Sequence, residues 1–206
     1  MDALIPLPPG MEQALRAAYA DPPRAYHHYG HVEAVLRHFA EVAAGPGWAH
    51  PVEAWLAVLY HDAVYVPGRR DNEARSAALA RAEIARWLPA AGVDADAVAG
   101  LILLTARHGT LEPAELGAGP GGDDRRLFLD CDMAILGAPP EAFDAYDRAV
   151  AEEYRGVVPG WLYRANRRRF LRGLLQRPRI YLSDFFHDRL EAAARANLGR
   201  ALGRAG

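Results

Sequence analysis

Apolar residues recur at helical spacing along most of the 206-residue chain, and prolines and glycines cut that pattern into segments. A first helix is expected over about 10–19, stopped at Asp21-Pro22-Pro23, where two prolines forbid continuation. A second, over about 26–44, carries the stripe Val32, Val35, Leu36 and Phe39 and ends at Gly45-Pro46-Gly47. A third opens at Pro51, carries Trp55, Leu56, Val58 and Leu59, and closes at His61-Asp62. Residues 63–70, with Pro67-Gly68, read as a loop before helices over about 71–88 and 94–107. The Gly/Pro-rich stretch 109–122 reads as an exposed loop, with no strand before it and no lysine after it to make a phosphate loop. Helices then follow over about 124–137, 140–155, 159–176 and, with Ser183 as N-cap, to about 203. Only RIYL at 179–182 has strand character, and it is too short to carry a sheet. The expected fold is all-α: a bundle of about eight to nine helices in a single domain over 1–206, with a core at about 26–137 and a C-terminal helical extension over 138–203.

Four polar groups interrupt the apolar stripes. His31 lies in the second helix, His61 and Asp62 close the third in LYHDAVY, and Asp132 sits inside LFLDCDMAIL. A charge in such a run is costly unless it is paired or bound to a metal. Asp132 alone reads equally well as a carboxylate paired with Arg126 or Arg148. Together the four supply two imidazoles and two carboxylates, a mixed set that suits Mn, Fe, Co, Ni or Zn more than calcium. Such a set leaves coordination positions for water and substrate, so one divalent transition metal ion is the expected cofactor.

Composition narrows the alternatives. With 51% hydrophobic residues the chain packs a core, and a net charge of -2 offers no basic excess for nucleic acid or an anionic membrane. The run Arg167-Arg168-Arg169 is local and reads as a solvated helix face. A single cysteine, Cys131, cannot form an internal disulfide, which fits a cytoplasmic location. The opening MDALIPLPPG has neither the basic nor the long apolar region of a signal peptide, and no apolar run is long enough to span a membrane.

The order His31, His61-Asp62, Asp132 on a helical chain resembles the HD superfamily of metal-dependent phosphohydrolases. YHHYGH (26–31), LYHDAVY (59–65), DNEARSA (71–77) and DCDMAILG (130–137) are similar to the family described as predicted metal-dependent HD phosphohydrolases, and EYRGV (153–157) and EAAARANL (191–198) to its C-terminal half. The resemblance implies that His31, His61, Asp62 and Asp132 hold one divalent ion. His31 is preferred over His27 and His28 because it begins the apolar stripe, and Asp132 over Asp130 because it matches the superfamily's final aspartate.

It also implies an acid/base role for Glu73 beside Asp62; the plain reading is a carboxylate complementing a helix N-terminus, with Asp71 and Asn72 as caps. His108 is the sole histidine between the HD pair and Asp132, which favours one metal over two and leaves His108 as a phosphate contact or a helix-end histidine. Phosphate needs positive charge besides the metal, for which Arg148 and Arg155 lead and Arg164, Arg167 and Arg168 follow. Asn72, Ser76, Tyr26, Tyr29 and Tyr65 complete the candidate substrate contacts; His38, His50 and His187 read as surface or packing residues. The expected activity is metal-dependent hydrolysis of a small phosphorylated metabolite such as a nucleotide. The alternative is a non-catalytic helical module that binds metal or ligand. A homodimer through the last helix is compatible with either.

Overall fold

A computed structural model describes residues 4–20 and 22–203; Asp21, the first residue of the expected breaker after the first helix, lies outside them. Among the described residues there are nine α-helices and no strand. They are α1 (Pro9–Ala20), α2 (Tyr29–Ala44), α3 (Pro51–Tyr60), α4 (Asn72–Trp87), α5 (Ala95–Leu104), α6 (Pro120–Met133), α7 (Pro140–Glu153), α8 (Gly160–Gln176) and α9 (Asp184–Gly203). No helix is long and apolar enough to cross a membrane.

The centre of the bundle is α3. Its residues Ala54 to Tyr60 are all buried, so this helix is apolar all round and must be surrounded. It packs against α2, α4, α5 and α6. Its C-terminus therefore opens into the middle of the protein, and the next two residues are His61 and Asp62. On α2, His31 shares the inward face with Val32, Val35, Phe39 and Val42. On α6, Leu127 to Cys131 are buried, and Asp132 follows them, partly covered, beside His31.

Three boundaries differ from the sequence reading. α2 starts at Tyr29, not near 26, because Glu153 takes the backbone N–H groups of Tyr26 and His27 (2.8 and 2.9 Å) and holds them out of the helix. His28 then becomes the N-cap, its Nδ1 accepting from Gly30 N at 2.9 Å. α5 stops at Leu104 and tightens into a 3-10 turn over Thr105–Arg107. The stretch 109–122 is not simply an exposed loop. Leu111 and Leu116 are buried, Pro113–Leu116 forms a 3-10 turn closed by a Glu112/Glu115 capping box, and α6 already begins at Pro120.

The C-terminal third belongs to the same core. Tyr181, Phe186 and Leu198 are fully buried, and α9 packs on the turn Ala134–Gly137. Glu191 on α9 accepts from the N–H groups of Ile180 and Tyr181, so RIYL is a pinned turn rather than a strand. α9 is thus docked on its own domain.

Candidate metal centre

Four ligand-capable atoms converge where the ends of α3 and α6 meet α2. His31 Nε2 lies 3.1 Å from His61 Nε2, 2.9 Å from Asp132 Oδ1 and 3.6 Å from Asp62 Oδ2. His61 Nε2 lies 3.2 Å from Asp62 Oδ2 and 3.5 Å from Asp132 Oδ1. Atoms that share a transition metal at about 2.0–2.2 Å stand roughly 3–4 Å apart, so the spacing fits a bound ion. His31, His61 and Asp62 meet this condition as a closed set, all within 4.8 Å of one another, and Asp132 adds its oxygen beside the two imidazoles.

The tautomer of His61 fits as well. Its Nδ1 lies 2.9 Å from the carbonyl of Val58, which has only lone pairs, so Nδ1 carries a proton and donates. The same outward bond orients metal-ligating histidines generally and frees Nε2 for the ion. Two Nε2 atoms at 3.1 Å repel unless a proton or a cation lies between them. Without an ion, that positive charge falls to a proton. Burial opposes it, but Asp62 and Asp132 outweigh burial and hold the His61 imidazolium well above the ordinary histidine range. Burial lowers His31 despite Asp132 beside it. Desolvation of the largely covered Asp62 and Asp132 would raise them, yet His61 above all drives both well below the usual carboxylate range.

Around these four lies a ring of supporting groups. His108 follows the turn after α5 and places Nδ1 3.3 Å from Asp132 Oδ2; its Nε2 is buried without a partner. The Glu73 carboxylate, in the first turn of α4, makes no hydrogen bond or ion pair among the described residues, and its charge acts on His108. Tyr26 packs against the His31 ring with centroids 4.8 Å apart, and Tyr65 stacks on His27 at 4.0 Å. A groove of about 310 Å³ opens on His31 and Asp132 between Tyr26, His28, Arg37 and Ala142. A larger cleft, about 830 Å³, lies among Trp48, Asp124, Arg126, Arg179 and Phe185 and contains none of the converging residues. Convergent chemistry, not size, marks the site.

Several candidates stand elsewhere. Tyr29 faces α1, edge-on to Tyr19 and under the Arg16 guanidinium. Arg148 is exposed, and Arg155, also exposed, pairs with Glu152 at 2.5 Å. Asn72 is buried and spends its amide on Val66, accepting from N and donating to O at 3.0 Å each, while Ser76 does the same for Val64. Both therefore hold the 63–71 loop in place. Asp71 pairs with Arg69 and makes no cap bond. Asp130 turns away from the centre and accepts from Leu182 N, Ser183 N and Ser183 Oγ; burial pushes its carboxyl up to about 7 even against those bonds. Arg126 serves the carbonyls of Pro113 and Gly117, so the alternative partners considered for Asp132 give way to His31 and His108.

Two arginines deserve the places the pattern assigned to others. Arg167 is largely covered rather than a free solvated cation: it bonds Asp147 at 2.9 Å and lies over the Tyr146 ring, which in turn packs on Tyr26. Arg24 was not singled out by any motif. It donates to the carbonyls of Asp62 (2.6 Å), His27 (2.9 Å), Ala18 (2.7 Å) and Ala63 (3.1 Å), tying the segment before α2 to the end of α3. Its only signal in sequence is its position just ahead of YHHYGH. No protein-family model matches the chain, and neither a curated protein nor a solved structure matches it.

Proposed function

We propose that the protein is a metal-dependent phosphohydrolase of the HD type, acting on a small phosphorylated metabolite such as a nucleotide. The observation that carries this reading is the meeting of the His31 and His61 Nε2 atoms with each other and with carboxylate oxygens of Asp62 and Asp132, at 2.9–3.6 Å from the imidazole nitrogens, in a helical bundle. His31, His61, Asp62 and Asp132 would hold one divalent ion. When bound, such an ion acidifies a water molecule and neutralises charge developing on phosphorus.

The chain's own groups supply the rest. Val58 fixes His61 through Nδ1, and His108 fixes the outer oxygen of Asp132, so both ligands are held before any ion arrives. Glu73 makes no hydrogen bond or ion pair among the described residues and would orient the attacking water. Asn72 and Ser76 hold the 63–71 loop, whose Tyr65 stacks on His27.

The test is metal analysis of tag-free protein purified without chelator, followed by phosphate release from a panel of phosphorylated metabolites with added Mn²⁺, Co²⁺ or Zn²⁺. About one ion per chain and metal-dependent release, both lost in Asp62→Ala, are expected. Tight metal binding with no release from any substrate would instead leave a metal- or ligand-binding module. No metal in any preparation would reduce the cluster to a buried ion pair.

A further inference from the structure

Beside the four converging residues is a second pair of groups that the metal does not use. Glu153, at the C-terminus of α7, is almost fully buried and faces His27, 126 positions away in sequence. Its Oε1 accepts from the N–H groups of Tyr26 (2.8 Å) and His27 (2.9 Å), and its Oε2 lies 2.6 Å from His27 Nδ1. A carboxylate can only accept here, so Nδ1 carries the proton. The ring is fixed a second time by stacking on Tyr65, and its backbone a third time by Arg24, which bonds the carbonyls of His27 and Asp62 together. Nε2 alone has no hydrogen-bond partner among the described residues. The ring stands edge-on to His31 with centroids 5.9 Å apart, on the rim of the candidate metal centre.

We infer that His27 is the proton acceptor of this site and that Glu153 is the residue that positions it, an assignment that rests on the phosphohydrolase reading. As the attacking water's oxygen bonds phosphorus, one of its protons passes to His27 Nε2. The bond from phosphorus to the leaving oxygen breaks, and the proton returns through solvent to that oxygen. Neither electrons nor atoms are left over. The arrangement has the logic of a carboxylate that holds a catalytic imidazole in one tautomer.

Glu153→Gln separates positioning from folding. The amide oxygen can keep the two backbone N–H groups, while the amide nitrogen replaces Oε2 and donates to Nδ1, which forces the proton onto Nε2. Imidazole ¹⁵N spectra of Zn²⁺-loaded protein should show His27 protonated at Nδ1 in the wild type and at Nε2 in Glu153→Gln. With Mn²⁺, His27→Ala and Glu153→Gln should lose about 100-fold or more in kcat with KM little changed. Both should retain one ion per chain. Wild-type rates in either variant, loss of metal in His27→Ala, or a wild-type ring protonated at Nε2 would each overturn the assignment. A loaded wild type that hydrolyses nothing removes the phosphohydrolase reading and the relay with it; an active wild type with unimpaired variants removes the relay alone.

Discussion

Asp130 and Asp132 stand two residues apart in one short motif, and the structure gives them unrelated work. The consequence is a double dissociation. Asp130→Ala removes the acceptor for Leu182 N and Ser183 N, at 2.8 and 2.7 Å, both taken from a segment pinned in the core. The Ser183 hydroxyl also loses its acceptor, but as a rotatable O–H it is less constrained than the two backbone donors. Two stranded backbone donors at about 1–3 kcal/mol each would cost roughly 2–6 kcal/mol. Relief from burying a carboxyl group offsets part of this, so about 3 kcal/mol is expected. For a domain of this size that lowers Tm by roughly 6–12 °C. Metal binding should survive, since none of the four converging atoms belongs to Asp130.

Asp132→Ala should do the reverse. Its oxygen stands 2.9 Å from His31 Nε2, and its loss removes one of four candidate ligands. A ligand at 100 times its Kd stabilises the folded state by about 2.7 kcal/mol, a rise of roughly 5–11 °C. Thermal melts of apo protein, with and without saturating Mn²⁺ or Zn²⁺, check both halves. Wild type and Asp130→Ala should show the metal-induced rise; Asp132→Ala should show little or none. A rise kept in Asp132→Ala but abolished in Asp130→Ala would refute the division of labour drawn here.

Two further outcomes follow from the packing. A Cβ on Gly137 would come within 2.7 Å of Leu190 Cβ and 3.0 Å of Leu190 O, so Gly137→Ala should push α9 off the turn and cost about 1–3 kcal/mol in chemical denaturation; an unchanged midpoint would show that α9 shifts freely. Burial raises the Glu153 carboxyl, but His27 and the two backbone N–H groups outweigh it and hold the folded value below the ordinary range. Its stabilisation is therefore fully present above the unfolded carboxylate value, about 4.5, and is lost as pH falls through the depressed folded value. The Tm gap between wild type and Glu153→Gln should be open near neutral pH and close on acidification below it; a gap that widened in acid would contradict the burial and bonding of Glu153.

The all-helical architecture was legible because periodicity and proline punctuation are local properties. The four converging residues were legible for a related reason: His31, His61, Asp62 and Asp132 each break an apolar stripe, and a polar residue that faces a core needs a partner or an ion. What the pattern missed was set by contacts between distant segments. The start of α2 depends on a carboxylate from α7, and no window around residue 26 contains Glu153. Arg148 and Arg155 had helical spacing in their favour, but spacing does not say which face a neighbour covers, and both are exposed. Arg167 reads as one of three solvated cations because a charge run usually is one, whereas Tyr146 and Asp147 on α7 give it a partly covered seat.

The same reasoning explains why His27 reads from sequence as a competing ligand. At i,i+4 from His31 it would share a face in a continuous helix, and one of the two would then be redundant. Glu153 removes that premise. By holding Tyr26 and His27 out of α2, it ends the helix two residues short of His27 and turns a second histidine of the same face into a separate group on the rim. One buried carboxylate thereby sets three things at once: where α2 begins, which nitrogen of His27 is protonated, and that His31 alone of the two reaches the centre. Under the phosphohydrolase reading, His27 Nε2, which has no hydrogen-bond partner among the described residues, is the group that this positioning serves.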